Sequence, residues 1–316
     1  MGEKPSNPHD AYFRAELSDP EVAAGQVRAV LSAEMLEQLD LTVLDRQSVS
    51  FVPAELRSRY SDILFRTRFA ARDAFVYLLI EHQSSQDPLM AFRITEYLVA
   101  IWNRYLEDHK KDRPPVTRLP LVIPMVVHVS ADGARWTEPV DLGDVLDIDP
   151  DVRDLLGDHL PRMRFLLDDV NALDVQQLLQ RKPAALSMVL VMLRNAPRHT
   201  HLDQVLSLLE ELLRDLTSDQ LSRLLAYIFT VGRTDADTLQ PVFERIGPSA
   251  KEAMMTIADD LRAEGGANLL IDQLSVKFGP LSERVLRRVR GADAATLRDL
   301  SRRFIFATSI DDVVAE

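Results

Sequence analysis

Residues 75–83 have the sequence FVYLLIEHQ, in which six apolar side chains are followed by polar ones. A short continuous apolar run with polar residues on either side is typical of a strand buried on both faces of a sheet. Just before it, residues 60–69 alternate, with Ile63, Phe65 and Phe69 on one side. That period of two predicts a half-buried strand. The two patterns together predict a sheet in which the second strand is central.

Helices and further strands are expected around this pair. Residues 10–31 follow a roughly helical spacing, and Asp87-Pro88 is a typical start for a second helix. Residues 121–129 and 164–167 are expected to form two more strands. This order of elements predicts an α/β class with a mixed sheet flanked by helices.

The chain changes character after residue 173, where leucine-rich helical patterns replace the strands. A pair of glycines, Gly265-Gly266, is expected to separate the last of these helices from a short helical tail. Among 316 residues we therefore predict three parts: a core at 8–172, an all-helical region at 173–262 and a small helical module at 263–316.

Composition excludes several classes of protein. The chain has 37 basic and 49 acidic side chains, a net charge of −12, which argues against a general coating of nucleic acid or anionic membrane. It has no cysteine, which excludes disulfides, thiol catalysis and cysteine-bound zinc. No apolar run approaches the length that a membrane span needs. We therefore expect a protein of the cytoplasm without membrane association.

The most specific candidate site combines Asp62 on the first strand with Glu81 and Gln83 at the end of the second. If the strands are neighbours, the two carboxylates can share a divalent cation, Mg²⁺ or alternatively Mn²⁺ or Ca²⁺. The backbone carbonyl of His82 is a further expected ligand, and Gln83 would hold water or a phosphate oxygen. The alternative is that both acids are solvated ends of strands.

Several blocks of sequence, in this order, carry a resemblance to a known family. They are His9-Asp10 with Phe13, residues 61–65, residues 79–85, Arg93 with Tyr97, and residues 119–128 followed by Gly133 and Trp136. In these blocks the chain resembles the Rpn family, recombination-promoting nucleases often labelled putative transposases, within the PD-(D/E)XK nuclease superfamily. The resemblance covers about residues 8–172. The tail from Gly265 to Glu316 is similar to a small C-terminal module of some such proteins.

The resemblance implies a PD-(D/E)XK-type core and a metal-dependent DNA endonuclease that hydrolyses phosphodiester bonds. Asp62 and Glu81 match the family's metal carboxylates, and Gln83 matches a position that is lysine in many superfamily nucleases. A third acid from an early helix is common in the superfamily, and no choice is made among Glu16, Glu21, Glu34 and Glu37. His128 stands where tyrosine is common in the family, and no catalytic role is assigned to it.

The expected DNA contacts are arginines near these acids, Arg66 and Arg93, together with Tyr97 on the second helix. Arg93 and Tyr97 are expected on a side of that helix away from its apolar stripe. Asp168-Asp169 is interpreted as a solvated strand end, with a pair of metal ligands as the alternative. A nuclease that acts on RNA instead of DNA is a further alternative. The competing hypothesis is a catalytically inactive DNA-binding protein, or one that forms homo-oligomers through its C-terminal helices.

Overall fold

The computed structural model describes residues 7–48, 61–81, 86–130 and 132–314. At residues 61–62, 78–81, 258, 260–262, 264 and 294 the description covers the backbone alone. The chain forms two compact units, Met1–Thr234 and Asp235–Glu316.

A five-stranded mixed sheet organises the first unit. In spatial order it consists of β1 (Asp45–Gln47), β2 (Ser61–Phe69), β3 (Arg72–Glu81), β4 (Leu121–His128) and β5 (Leu166–Asp169). The β1–β2 and β2–β3 pairs are antiparallel, whereas β3–β4 and β4–β5 are parallel. The apolar run at 75–80 is therefore confirmed as a central strand, because β3 has two strands on one side and two on the other.

Strands β2 and β3 form a hairpin with a two-residue turn, Ala70-Ala71. Both alanines have positive φ, 48° and 62°, as a type I′ turn requires. Such a turn matches the right-handed twist of the strands, although it favours asparagine and glycine over alanine. The hairpin fixes the register of the whole β2–β3 pair, from Phe69 opposite Arg72 to Ser61 opposite Ile80.

The first unit also contains a series of helices. They are α1 (Pro8–Leu17), α2 (Pro20–Val30), α3 (Ala33–Gln38), α4 (Met90–Asp108), α5 (Pro150–Leu156), α6 (Val175–Leu179), α7 (Ala184–Asn195), α8 (Leu202–Ser207), α9 (Glu210–Arg214) and α10 (Ser218–Val231). The expected helix at 10–31 is two helices, because Asp19 caps a new one by accepting a hydrogen bond from the Glu21 backbone N–H at 2.8 Å.

Helix α4 is the crossover between the parallel strands β3 and β4, and it covers one face of the sheet. Its apolar stripe is buried against side chains of β2, β3 and β4, as its spacing predicts; the cluster contains Met90, Ile94, Leu98, Ile101, Leu64, Phe75, Tyr77, Val122 and Val126. Helix α2 lies on the opposite face, where Gln26 contacts Met125 and Asp168. The sheet is therefore the middle layer of the unit.

Some element boundaries differ from the predictions. Helix α4 begins at Met90 rather than at Pro88, because Asp87 accepts a hydrogen bond from the Leu89 backbone N–H and forms a turn first. The last strand is at Leu166–Asp169 instead of 164–167.

The second unit is helical throughout its described residues. It contains α11 (Ala236–Ile246), α12 (Pro248–Phe278), α13 (Glu283–Arg290), α14 (Ala294–Phe306) and α15 (Ile310–Val314). The expected break at Gly265-Gly266 is wrong, because α12 runs through both glycines. The leucine-rich helices up to residue 231 belong to the same compact unit as the sheet. The three-part division at 172/173 and 262/263 stays a prediction.

Candidate active site

The backbone register brings Asp62 and Glu81 to one region of the sheet. Asp62 lies opposite Leu79, and Glu81 follows Leu79 by two residues on the same strand. Opposed residues of an antiparallel pair share a face of the sheet, and so do residues two apart. Positions 62 and 81 are therefore diagonal neighbours on the face that α4 covers.

His82 and Gln83 lie outside the described residues, so their proposed roles stay predictions. Among the candidates for a third acid, Glu16 is buried, with 2% exposure, and forms an ion pair with Arg223 through Nε at 2.6 Å. Burial raises the pKa of Glu16, and the Arg223 guanidinium opposes that rise. The other candidates, Glu21, Glu34 and Glu37, are exposed. The choice among the four stays open.

The first half of α4 lies against the same face of the sheet. Tyr97 is fully buried, and its ring is 5.1 Å from that of Tyr77, which precedes Leu79 by two residues. The expectation that Tyr97 lies away from the apolar stripe is wrong, because its ring is part of the α4–sheet core. Arg93, one turn earlier, is 11% exposed and forms an ion pair with Asp87.

Arg66 lies away from this region. It follows Asp62 by four residues on β2, which corresponds to about 13 Å along the strand. Its guanidinium is exposed and pairs with Asp73 at 2.9 Å. With Arg104 it lines a cleft of about 170 Å³ beside the C-terminal half of α4. Arg66 is thus separated from Asp62 along β2. Tyr97, by contrast, contacts Tyr77, which precedes Glu81 by four residues on β3.

Two residues outside the predicted site lie next to Glu81 on the neighbouring strands and extend the row of positions 62 and 81 across the sheet. His128 lies beside Glu81 on β4, and Asp169 lies beside His128 on β5. Paired positions on parallel strands share a face, so 62, 81, 128 and 169 all lie on the α4 side. The carboxyl ends of parallel strands are a common place for ligand sites in open α/β sheets.

His128 is fully buried and has a defined hydrogen-bond partner. Its Nε2 is 3.2 Å from the Ala134 carbonyl oxygen, and its ring meets Trp136 edge-on with centroids 5.2 Å apart. Since a carbonyl oxygen only accepts, Nε2 carries the proton and donates it. Nδ1 has no hydrogen-bond partner within the described part of the chain.

The interpretation of Asp168-Asp169 as a solvated strand end is wrong. Asp168 is 5% exposed and points to the α2 face, where Arg181 donates to both of its carboxylate oxygens at 2.5 and 2.7 Å. Gln26 donates a third hydrogen bond at 2.6 Å. Asp169, on the opposite face, accepts a hydrogen bond from the Trp136 backbone N–H at 3.0 Å. No pattern in the sequence distinguishes the two acids, because strand alternation assigns opposite faces without saying which is covered.

The residue types in this row include ones that could hold a divalent cation. Carboxylate oxygens at positions 62, 81 and 169 are ligands of the kind that Mg²⁺ and Mn²⁺ accept, whereas an imidazole nitrogen at position 128 is a poor ligand for Mg²⁺. Nδ1 of His128 and Oδ1 of Asp169 are buried polar atoms in this row without a hydrogen-bond partner among the described residues. Among the described side chains, which exclude those of Asp62 and Glu81, no group of three His, Cys, Asp or Glu could hold a metal.

No helix in the described part of the chain has both the length and the apolar character needed to cross a membrane.

Comparison with known proteins identifies the family. Residues 7–223 match the family described as "Putative transposase, YhgA-like". The recombination-promoting nuclease RpnD of Escherichia coli O157:H7 is 33% identical over 267 residues, which cover 82% of this chain and 97% of RpnD. RpnA of E. coli K12, also named a recombination-promoting nuclease, is 31% identical over 269 residues, 82% of this chain and 85% of RpnA.

A third relative carries a different description. RpnE of E. coli K12, named an inactive recombination-promoting nuclease-like protein, is 31% identical over 264 residues, 82% of this chain and 83% of RpnE. No solved structure matches the chain. A family match over residues 7–223, with relatives that align along most of their own length, shows that the chain belongs to the YhgA-like putative transposase family, together with the Rpn recombination-promoting nucleases.

Proposed function

We propose that this protein is a divalent-metal-dependent DNA endonuclease of the Rpn type that hydrolyses phosphodiester bonds and acts in DNA recombination in the cytoplasm. The observation that carries the proposal is the β2–β3 register, in which Asp62 and Glu81 are diagonal neighbours on one face. Diagonal neighbours lie about 7–8 Å apart, a span that aspartate and glutamate together can close around one ion. Family membership supports the same activity, since RpnD and RpnA are named nucleases.

The arrangement of elements supports a PD-(D/E)XK-type core. A helical segment precedes an antiparallel hairpin, and a helix then crosses over to a parallel strand. In this proposal the first carboxylate is at the start of one hairpin strand and the second is at the end of the other. Both belong to strands whose central side chains are buried in the core of the unit.

In the proposed site, Asp62, Glu81 and the backbone carbonyl of His82 hold Mg²⁺, or alternatively Mn²⁺ or Ca²⁺. When bound, such an ion supplies Lewis-acid activation of the scissile phosphate and of water. The carboxylates serve as its anionic ligands, and Gln83 holds the attacking water or a phosphate oxygen through hydrogen bonds. Because a neutral amide is not a strong base, Gln83 orients rather than deprotonates.

A DNA contact is proposed for Arg93 at the first half of α4, whereas Tyr97 is proposed to support the site indirectly, because its fully buried ring cannot contact DNA. Arg93 is mostly buried and held by Asp87, so its charge is directed by the fold rather than free in solvent. Tyr97 acts by packing on Tyr77 and supporting the backbone near Leu79. Arg66, about 13 Å from Asp62 along β2, is proposed to contact the phosphate backbone away from the scissile bond.

The second candidate is a catalytically inactive protein that binds DNA or forms homo-oligomers. It is favoured by one observation, namely that RpnE, named as inactive, aligns with this chain as extensively as the relatives named as nucleases. The two candidates differ in what the carboxylate at position 62 does. They make opposite predictions for cleavage by the purified full-length chain.

The test is nicking of supercoiled plasmid DNA in Mg²⁺ or Mn²⁺ by the wild type and by Asp62→Ala. We expect nicking that EDTA abolishes and that the substitution lowers by roughly 10²–10³-fold or more. Asp144→Ala is the control, because Asp144 is an exposed carboxylate outside the sheet that pairs with Arg153, a residue without a role in the proposed site. It should leave nicking within about twofold of wild type.

Cleavage that Asp62→Ala leaves unchanged would reject the site. A wild type that binds DNA and never nicks it would establish the inactive candidate instead. The same reaction with single-stranded and duplex RNA shows whether the substrate is DNA or RNA.

A further inference from the structure

A cleft on the α2 side of the sheet has no part in the proposed nuclease site. Its volume is about 400 Å³, within the range of about 300–1,000 Å³ that is usual for small-molecule sites. Helix α2 contributes Gly25, Arg28 and Ala29 to its lining, and α6 with the residues that follow it contributes most of the rest. The cleft lies entirely within the first unit.

Three cationic side chains line this cleft, namely Arg28, Arg181 and Lys182. The lining contains no carboxylate among the described residues, although the whole chain has a net charge of −12. Asp168 neutralises Arg181. Arg28 and Lys182 are exposed and form no ion pair with any residue in the described part of the chain. The cleft is therefore a local positive site on an acidic protein, and such a site attracts anions.

The backbone that carries two of these cations is held in place. The Oγ atom of Ser187, a fully buried residue, lies 2.7 Å from the Arg181 carbonyl oxygen. Gly25 allows α2 to approach the next residue closely, because a Cβ at position 25 would be 1.9 Å from the Lys182 carbonyl oxygen. These contacts fix the backbone from which Arg181 and Lys182 extend, and this order lowers the entropic cost of binding a ligand.

The residue types in the lining fit a nucleotide. Guanidinium and ammonium groups are common ligands of phosphate oxygens. Gln177 and Gln180 add side-chain amides, which donate to and accept from the edge of a base or the hydroxyls of a sugar. Ala29 and Leu173 add apolar surface for the base. The volume matches a ligand of drug size, as a mononucleotide is, rather than a length of duplex.

We propose that this cleft binds a free nucleotide, with Arg28 and Lys182 as contacts to its phosphate groups and Gln180 as a contact to its base or sugar. The inference goes beyond the nuclease activity and does not depend on it. Arg181 and Asp168 meet on the α2 side of the sheet, whereas positions 62 and 81 lie on the α4 side.

The test is isothermal titration calorimetry of the full-length chain with ATP and with inorganic pyrophosphate, without divalent cations. We expect one ATP per wild-type chain. The double variant Arg28→Gln/Lys182→Gln should bind both probes roughly tenfold or more weakly, since hydrogen bonds to charged groups are lost. The matched control is Arg46→Gln/Lys111→Gln, which removes two charges from exposed positions outside the cleft. It should keep both affinities within about twofold of wild type.

A third variant tests the contact to the base or sugar. Gln180→Ala should weaken ATP binding by about two- to tenfold and leave pyrophosphate binding unchanged, because pyrophosphate has neither group. Circular dichroism checks that each variant is folded. ATP binding that Gln180→Ala does not weaken would overturn the assignment to a nucleotide in favour of a simple anion site.

Two other results would overturn the proposal as a whole. Equal losses in the cleft variant and the control variant would show a general attraction of anions to surface charge. Duplex DNA that binds more weakly to the cleft variant, but not to the control variant, would assign these cations to a nucleic-acid contact. Because no cleavage is measured, the nicking test of Asp62→Ala can fail while the nucleotide site stands, and the reverse also holds.

Discussion

Removing the guanidinium of Arg181 should destabilise the first unit strongly. Arg181 and Asp168 are 8% and 5% exposed, and two hydrogen bonds of 2.5 and 2.7 Å join them. Arg181→Met leaves the Asp168 carboxylate buried with Gln26 as its remaining donor. Breaking a buried pair from one side costs about 3–5 kcal/mol, because the other charge stays uncompensated. We expect a fall of that size in the free energy of unfolding.

The assay is urea unfolding of four chains: wild type, Arg181→Met, Asp168→Leu and the double variant. Asp168→Leu should cost less than Arg181→Met, because Arg181 lines an open cleft of about 400 Å³ and can turn toward water. The double variant should be more stable than Arg181→Met alone, since no buried charge is left unpaired. Arg66→Met, which breaks the exposed pair with Asp73, is the control and should cost at most about 1 kcal/mol.

An Arg181→Met variant that loses no more stability than Arg66→Met would refute the reasoning. A double variant that loses as much stability as the two single variants together would also refute it, because the two side chains would then contribute independently.

The remaining predictions concern close approach, turn conformation and pH. Gly25→Ala should cost about 1–3 kcal/mol in urea unfolding, because its Cβ would be 1.9 Å from the Lys182 carbonyl oxygen, whereas Gly266→Ala, with 3.7 Å to the nearest atom, should be neutral or stabilising. Replacing Ala70-Ala71 by Asn-Gly should raise the free energy of unfolding by about 1–2 kcal/mol, because asparagine and glycine adopt positive φ at a lower cost than alanine does; an unchanged value contradicts the strain. Burial raises the pKa of Asp10 from 3.8 to about 7. Between about pH 4 and 7 the folded chain therefore keeps a proton that the unfolded chain releases, so the free energy of unfolding falls as the pH rises through this range. Asp10→Asn should remove that fall and stabilise the chain at pH 8 by up to about 4 kcal/mol, and parallel stability–pH curves for the two proteins would disprove it.

The central features of the fold could be predicted from hydrophobic pattern alone. The run at 75–80 has no polar interruption, which is typical of a strand covered on both faces, and it belongs to the middle strand. The stripe Met90, Ile94, Leu98 and Ile101 predicts the face of α4 that packs on the sheet. These predictions succeed because burial and spacing are local properties of the chain.

Properties that depend on distant partners could not be predicted. Asp168 is buried because Arg181 and Gln26 meet it from other elements, and no local pattern shows such a pairing. Tyr97 is buried because Tyr77 lies beneath it. The position of His128 beside Glu81 depends on how β4 pairs with β3. Asp62 and Glu81, by contrast, are predicted as site residues by their positions on the strands and by the family resemblance.

The most direct test of the central claim is a crystal structure of the full chain with Mn²⁺, with the ions located by anomalous scattering. The account predicts one ion bound by carboxylate oxygens of both Asp62 and Glu81, at ligand distances of about 2.0–2.6 Å. An ion held by only one of these residues, or carboxylates too far apart to share an ion, would contradict it.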